Sequence, residues 1–175
     1  MRISATRFLQ RATTGTLRGT KVPLADDGDV VRGLGFVTMY AAWVEEDVDD
    51  LLRMMNPVEP FDEPKQRWQI SRKLRHAAGV VRTLNSEELA RLPNALEGAI
   101  ELFDRRNHFV HGRIYAGHDR VDYIQGGRPN APTVPITSAE LYALANEIWG
   151  YRGHFIGPQL FRLPRAIGNY LNGAS

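Results

Sequence analysis

Between Val30 and Met55, apolar side chains return every three or four residues: Val37, Ala41, Val44, Val48, Leu51, Leu52 and Met55. An α-helix turns ~100° per residue, so this spacing gathers them into one stripe along about seven turns. A stripe that long must be buried, and in a chain of 175 residues the simplest partners are other helices. The segment ADDGD, Ala25–Asp29, supplies turn and cap residues ahead of the helix. Glu45, Glu46, Asp49 and Asp50 are expected mostly to face water.

The partners are legible further along. NPVEPFDEP, residues 56–64, reads as a proline-rich loop, and a basic amphipathic helix is expected from about Gln66 to Leu84. Its apolar set is Trp68, Ile70, Leu74, Ala77, Val80 and Val81. Asn85 and Glu88 have capping-box spacing, and Pro93 either interrupts or restarts the helix that follows. From Pro93, the series Leu96, Ala99, Ile100, Phe103, Asn107, Val110 and His111 carries a further helix to Gly112, placed as a C′ glycine. RIYAGHDRVDYIQ then alternates as two short strands about a Gly117–His118 turn. A Gly/Pro loop leads to Thr137, whose capping-box partner is Glu140, and to a last helix over about Ser138–Phe155.

The expected fold is therefore mostly all-α: an antiparallel four-helix arrangement with a short β-hairpin inserted before the last helix. Three regions follow: a basic irregular arm over residues 1–29, a helical domain over 30–156, and a tail over 157–175, broken by Pro158 and Pro164 and packed on the domain. The arm carries Arg2, Arg7, Arg11, Arg18 and Lys21 before the first acid, Asp26. A transit peptide, a phosphate-touching arm and an ordinary N-terminal segment all fit it. Hydrophobic residues at 43% and charged residues at 24% are proportions of a folded globular chain. With no cysteine, neither a disulfide nor a thiolate metal site can form, which suits a reducing, cytoplasmic setting. No apolar run approaches the ~20 residues that span a bilayer, so no membrane partner is expected.

One segment carries chemistry. In RNHFVHG, residues 106–112, an arginine is followed at once by Asn107 and five residues later by His111. Five helical steps set Arg106 and His111 ~140° apart, whereas Asn107 and His111 share a face. A long guanidinium can swing along the helix towards the imidazole, and two copies meeting across a dimer axis could line one cleft. Attack of a ribose 2′-OH on its own phosphate needs a group that moves protons near neutral pH, which histidine does. It also needs a fixed cation for the developing charge, which arginine supplies. Asn107 could orient either. A helix C-terminus equally favours Arg and His through its dipole. His111 could thus be a capping residue, and Arg106 a partner for Asp104 or for an acid of the first helix.

Arg106-Asn107-xxx-His111, late in a helix that ends in a glycine, resembles the R-x(4–6)-H motif of the HEPN domains. The resemblance in pattern runs over residues 30–156 and includes the acidic, aromatic-bearing first helix around Trp43 and Glu46. It implies a HEPN-type bundle whose site is Arg106, Asn107 and His111. The implied activity is metal-independent endoribonuclease action by a homodimer on RNA, in a toxin or defence setting with an antitoxin or regulatory protein as partner, and with no cofactor. The alternative it implies is a non-catalytic module that dimerises or binds a nucleotide or protein.

Other candidates read more plainly. His108 could share a metal with His111, but no carboxylate stands at ligand spacing on that helix, so it reads as a surface or packing residue. His76, His118 and His154 are isolated. Lys65, Arg67, Arg72, Lys73, Arg75 and Arg82 form a solvated basic face or a phosphate-binding surface. Tyr115 and Tyr123 could stack on bases, although hairpin aromatics more often pack. GGRPN, residues 126–130, has too little pattern for a phosphate loop.

Overall fold

A computed structural model describes residues 24–118, 121–127, 130 and 132–173, with His154 and Phe155 described in their backbone only. Most of the arm, residues 1–23, lies outside the described residues. The chain is mostly helical, with a small three-stranded antiparallel sheet.

Helix α1, Val30–Met54, is the predicted long helix, with the Asp29 side chain accepting from the Arg32 backbone N–H at 2.9 Å. Its stripe is buried as expected: Val37, Ala41, Val44, Val48, Leu51, Leu52 and Met55 are each at most 2% exposed. The acids do not all face water. Glu46 is exposed, but Glu45, Asp47, Asp49 and Asp50 are half-buried.

The expected single helix from Gln66 is split. A short helix α2, Glu63–Gln66, is capped by Asp62, whose side chain accepts from Lys65 N–H. The chain then reopens at the extended Gln69 before helix α3, Ile70–Thr83. Trp68 stands in the break, its ring against His76 at 5.3 Å and under the Arg72 guanidinium at 3.8 Å. Amphipathic periodicity continues across the break, which is why the spacing alone reads as one helix.

Asn85 does not open a capping box. It adopts the left-handed conformation, φ 46°, just past the end of α3, where asparagine is tolerated. A 3₁₀ turn over Glu87–Leu89 follows. Pro93 then restarts the chain in the first turn of helix α4, Leu92–Val110, where its missing N–H costs nothing.

Strands β1 (Arg113–Ala116) and β2 (Asp122–Gln125) form the expected hairpin. The loop expected before Thr137 contains a third strand, β3 (Thr133–Ile136), paired antiparallel with β2. Pro132 and Pro135 hide it from a sequence reading, since proline is tolerated only on an edge strand such as this one. The Thr137–Glu140 capping box is present and opens helix α5, Ser138–Tyr151. Helix α5 widens into a π-type segment, Arg152–Ile156, then continues as helices α6 (Gly157–Leu160) and α7 (Leu163–Leu171). Pro158 and Pro164 therefore begin helices rather than chop a tail, and α7 buries Leu163, Ala166 and Ile167.

Helix α1 packs most extensively on α5, and α3 on α4, with α1 also touching α3 and α4. An aromatic seam of Phe36, Tyr40, Trp43, Tyr142 and Trp149 joins α1 to α5. Beside it Arg152 grips Asp47 with two bonds, at 2.6 and 3.1 Å, and lies over both tryptophan rings. The end of the arm is tied down as well. Leu24 exchanges two hydrogen bonds with the Asn146 side chain, and the Tyr142 hydroxyl donates to Asp27 at 2.6 Å. Burial and that hydrogen bond push the Tyr142 phenol up to about 12. Among the described residues, no helix is long and apolar enough to cross a membrane.

Candidate functional site

Helix α4 delivers the motif. Leu92, Leu96, Ala99 and Phe103 bury one side of it, and its last turn emerges from the core, carrying Arg106, Asn107 and His111 to the end of the bundle. Arg106 and Asn107 are half-buried, whereas His108 and His111 are exposed. Arg106 Nη1 donates to Asn107 Oδ1 at 2.9 Å, so these two act as one polar unit. No hydrogen bond joins either to the His111 side chain among the described residues. Within one chain, then, the structure brings Arg106 and Asn107 together and leaves His111 apart.

Arg106 turns towards α1. Burial pushes the Glu45 carboxyl up, while Arg106 and Lys73 pull it back down and Asp49 opposes them. Among the described residues no ion pair or hydrogen bond joins Arg106 to Glu45 or to Asp104; Glu45 feels its charge only at longer range. Arg106 Nε is fully buried and has no acceptor among the described residues. A buried, charged donor without a partner is costly, and such groups mark strain or function. Glu45 has one sequence signal: it falls on the track of Ala41, Val48 and Leu52, at the border of the buried stripe.

Lys73 corrects the expected solvated basic face. It is only 9% exposed and its Nζ meets Asp49 Oδ1 at 2.7 Å. Lys65 pairs with Glu59, Arg67 with Glu63, and Arg82 with both oxygens of Glu97. Most of that face is thus already neutralised and makes a poor phosphate surface.

His111 is the C-cap of α4, as the capping alternative has it, and its backbone N–H donates to the Asn107 carbonyl. Gly112 follows in the C′ position but is not left-handed. It is glycine for space: a Cβ there would lie 2.5 Å from both Cγ1 and Cδ1 of Ile124 on β2. A second close approach holds the other side, where a Cβ on Gly127 would meet the His111 carbonyl oxygen at 2.5 Å and its Cβ at 3.5 Å. Strand β2 and the loop after it are therefore pressed against the end of α4, which fixes the backbone of His111 while leaving its ring in solvent.

Neither a family model, nor a curated protein, nor a solved structure matches this chain.

His108 packs edge-on against Phe109 at 5.5 Å, in keeping with a surface or packing role. A shallow cleft of about 330 Å³ lies on that side, lined by Arg105, His108, Phe109, Glu140 and Ala143. It includes neither Arg106 nor His111, and its only cation, Arg105, is held by both oxygens of Glu147. His76 is half-buried, and burial holds its pKa below the usual histidine value. Among the described residues, no three His, Asp or Glu side chains gather as metal ligands.

Proposed function

We propose that the chain is a HEPN-like endoribonuclease whose site is built from Arg106, Asn107 and His111 of two copies related by a two-fold axis. The observation that carries this reading is the half-buried Arg106 guanidinium, hydrogen-bonded to Asn107, at the same helix end as the exposed His111 imidazole. A guanidinium, with its planar fork of N–H donors, suits the non-bridging oxygens of a scissile phosphate, where charge develops during 2′-OH attack. An exposed imidazole is free to take or return the proton. One copy separates the two groups by ~140° and ~7.5 Å of helix axis, so a second copy of α4 would bring an Arg106 to face the first copy's His111. No step needs a metal. A toxin or defence role, with an antitoxin or regulatory partner, follows from the HEPN resemblance alone.

The test is a four-protein cycle of cleavage rates on one defined RNA in excess EDTA: wild type, Arg106→Ala, His111→Ala and the double variant. If Arg106 stabilises charge that arises as His111 moves a proton, the double variant is scarcely slower than the worse single variant. Additive losses would overturn the joint site, and four equal rates the whole assignment.

A second reading is a non-catalytic HEPN-like module that dimerises or binds a nucleotide or protein. The burial of Arg106 Nε favours it, since a guanidinium partly packed into the bundle serves structure. Under it, Arg106→Ala lowers stability or dimer affinity, and no RNA is cleaved.

A further inference from the structure

The three-stranded sheet has a face that the proposed chemistry leaves unused. Residues paired across antiparallel strands point to the same side. The register therefore puts Arg113, Gln125 and Thr133 in one outward row, and Tyr115, Tyr123 and Pro135 in another. The alternate rows lie on the opposite side, Ile114, Ile124 and Val134, then Ala116, Asp122 and Ile136; Ile124 and Ile136 there are at most 3% exposed, while Ala116 at the strand end is exposed. The only carboxylate among these paired residues, Asp122, is thus on the inner side.

The outward face carries a cation, two phenol rings and amide and hydroxyl groups. The rings of Tyr115 and Tyr123 are stacked, their planes within 21° and their centroids 6.1 Å apart. Tyr115 is 45% exposed, and a hydrogen bond of 3.2 Å between its hydroxyl and Thr133 Oγ1 steadies the ring across the sheet. Among the described residues, Arg113 has no ion-pair partner. Cross-strand packing explains a Tyr–Tyr pair but not its place on the solvent side beside an arginine that no described carboxylate pairs. The Gly127 contact sets the Arg113–Gln125 end of this face directly against His111. Tyr115 lies two residues further along, about 7 Å down the strand.

We propose that this face is a platform for single-stranded RNA, its bases stacking on Tyr115 and Tyr123 and a phosphate held by Arg113, so that the backbone leaving the platform passes His111. Stacking on a ring pair tolerates any base, so the platform sets the path of the strand rather than its sequence. Its role in cleavage rests on the ribonuclease reading above, while the binding itself does not.

The experiment measures fluorescence anisotropy of an end-labelled oligouridylate on the full chain carrying His111→Ala, which prevents turnover. Tyr115→Ala and Tyr115→Leu should weaken binding by about 5- to 100-fold, and Tyr115→Phe by no more than about two-fold. Leucine keeps the apolar bulk and the strand, so loss in that variant, with an unchanged melting temperature, reports stacking rather than folding. Arg113→Ala should weaken binding and lower the slope of log affinity against log salt by about 0.7. Wild-type affinity in Tyr115→Leu would overturn the platform, as would heparin displacing the RNA equally well from wild type and Tyr115→Leu, or no RNA binding by the folded chain. RNA binding lost in the tyrosine variants, with no cleavage by the wild-type chain, which keeps His111, would support the platform and sink the ribonuclease reading. Cleavage that persists with Tyr115→Leu binding normally would do the reverse.

Discussion

Replacing Gly112 with alanine adds one methyl group at the joint between α4 and the sheet, and the consequences can be worked out from contacts. The new Cβ would stand 2.5 Å from Ile124 Cγ1 and Cδ1, and 3.0 Å from the His108 carbonyl oxygen. Carbon atoms pack at about 3.5–4.0 Å, so Ile124 must retreat by roughly 1 Å. It has nowhere to go, being 1% exposed and part of the main core. Overpacking of this kind costs about 1–3 kcal/mol. In a chain of this size that lowers the melting temperature by about 2–12 °C. Ile124→Ala alone should cost about 2–5 kcal/mol through the cavity it leaves. In the double variant the added methyl enters that cavity, so the combined loss should fall short of the sum by about 1 kcal/mol or more. Urea unfolding of the four proteins, followed by circular dichroism, measures this cycle. Costs that add to within about 0.5 kcal/mol, or a Gly112→Ala variant as stable as wild type, would refute the steric account of the joint.

Lys73→Ala leaves the half-buried Asp49 with only Arg53, at 3.8 Å, and should destabilise by about 1–3 kcal/mol in the same assay, more than a surface lysine would. Glu45 gives a pH signature. Its carboxyl is held above the ordinary 4.5 by burial, so the folded state binds more protons than the unfolded one just above that pH, and stability falls there as pH rises. Glu45→Gln removes that fall, and stability curves from pH 4 to 7 should flatten; an unchanged slope would show that Glu45 ionises freely. Sedimentation at micromolar concentration should find a two-fold homodimer, and a strict monomer would remove the composite site.

Legibility followed the range of the forces involved. The buried stripe of α1, the cap of α5 and the hairpin were readable because each depends on spacing within a few residues. The break at Trp68 and the role of Asn85 were not, because the same apolar period runs through both interrupted and continuous helix. Helix α7 escaped for a related reason: Pro158 and Pro164 signal a boundary, and nothing local says whether a helix ends or begins there.

At the candidate site, the residue types and their order along α4 were set by the sequence, and so was the exposure expected of a helix end. That the charge of Arg106 reaches Glu45, that Lys73 is buried on Asp49, and that Gly127 presses on His111 were decided only by tertiary packing. These contacts join residues 24 to 61 positions apart along α1, α3 and α4, or cross from α4 to a loop, and no periodicity encodes them. Glycine at 112 and 127 reads as a turn in one dimension, and only the folded chain reveals each as the space that a neighbour fills.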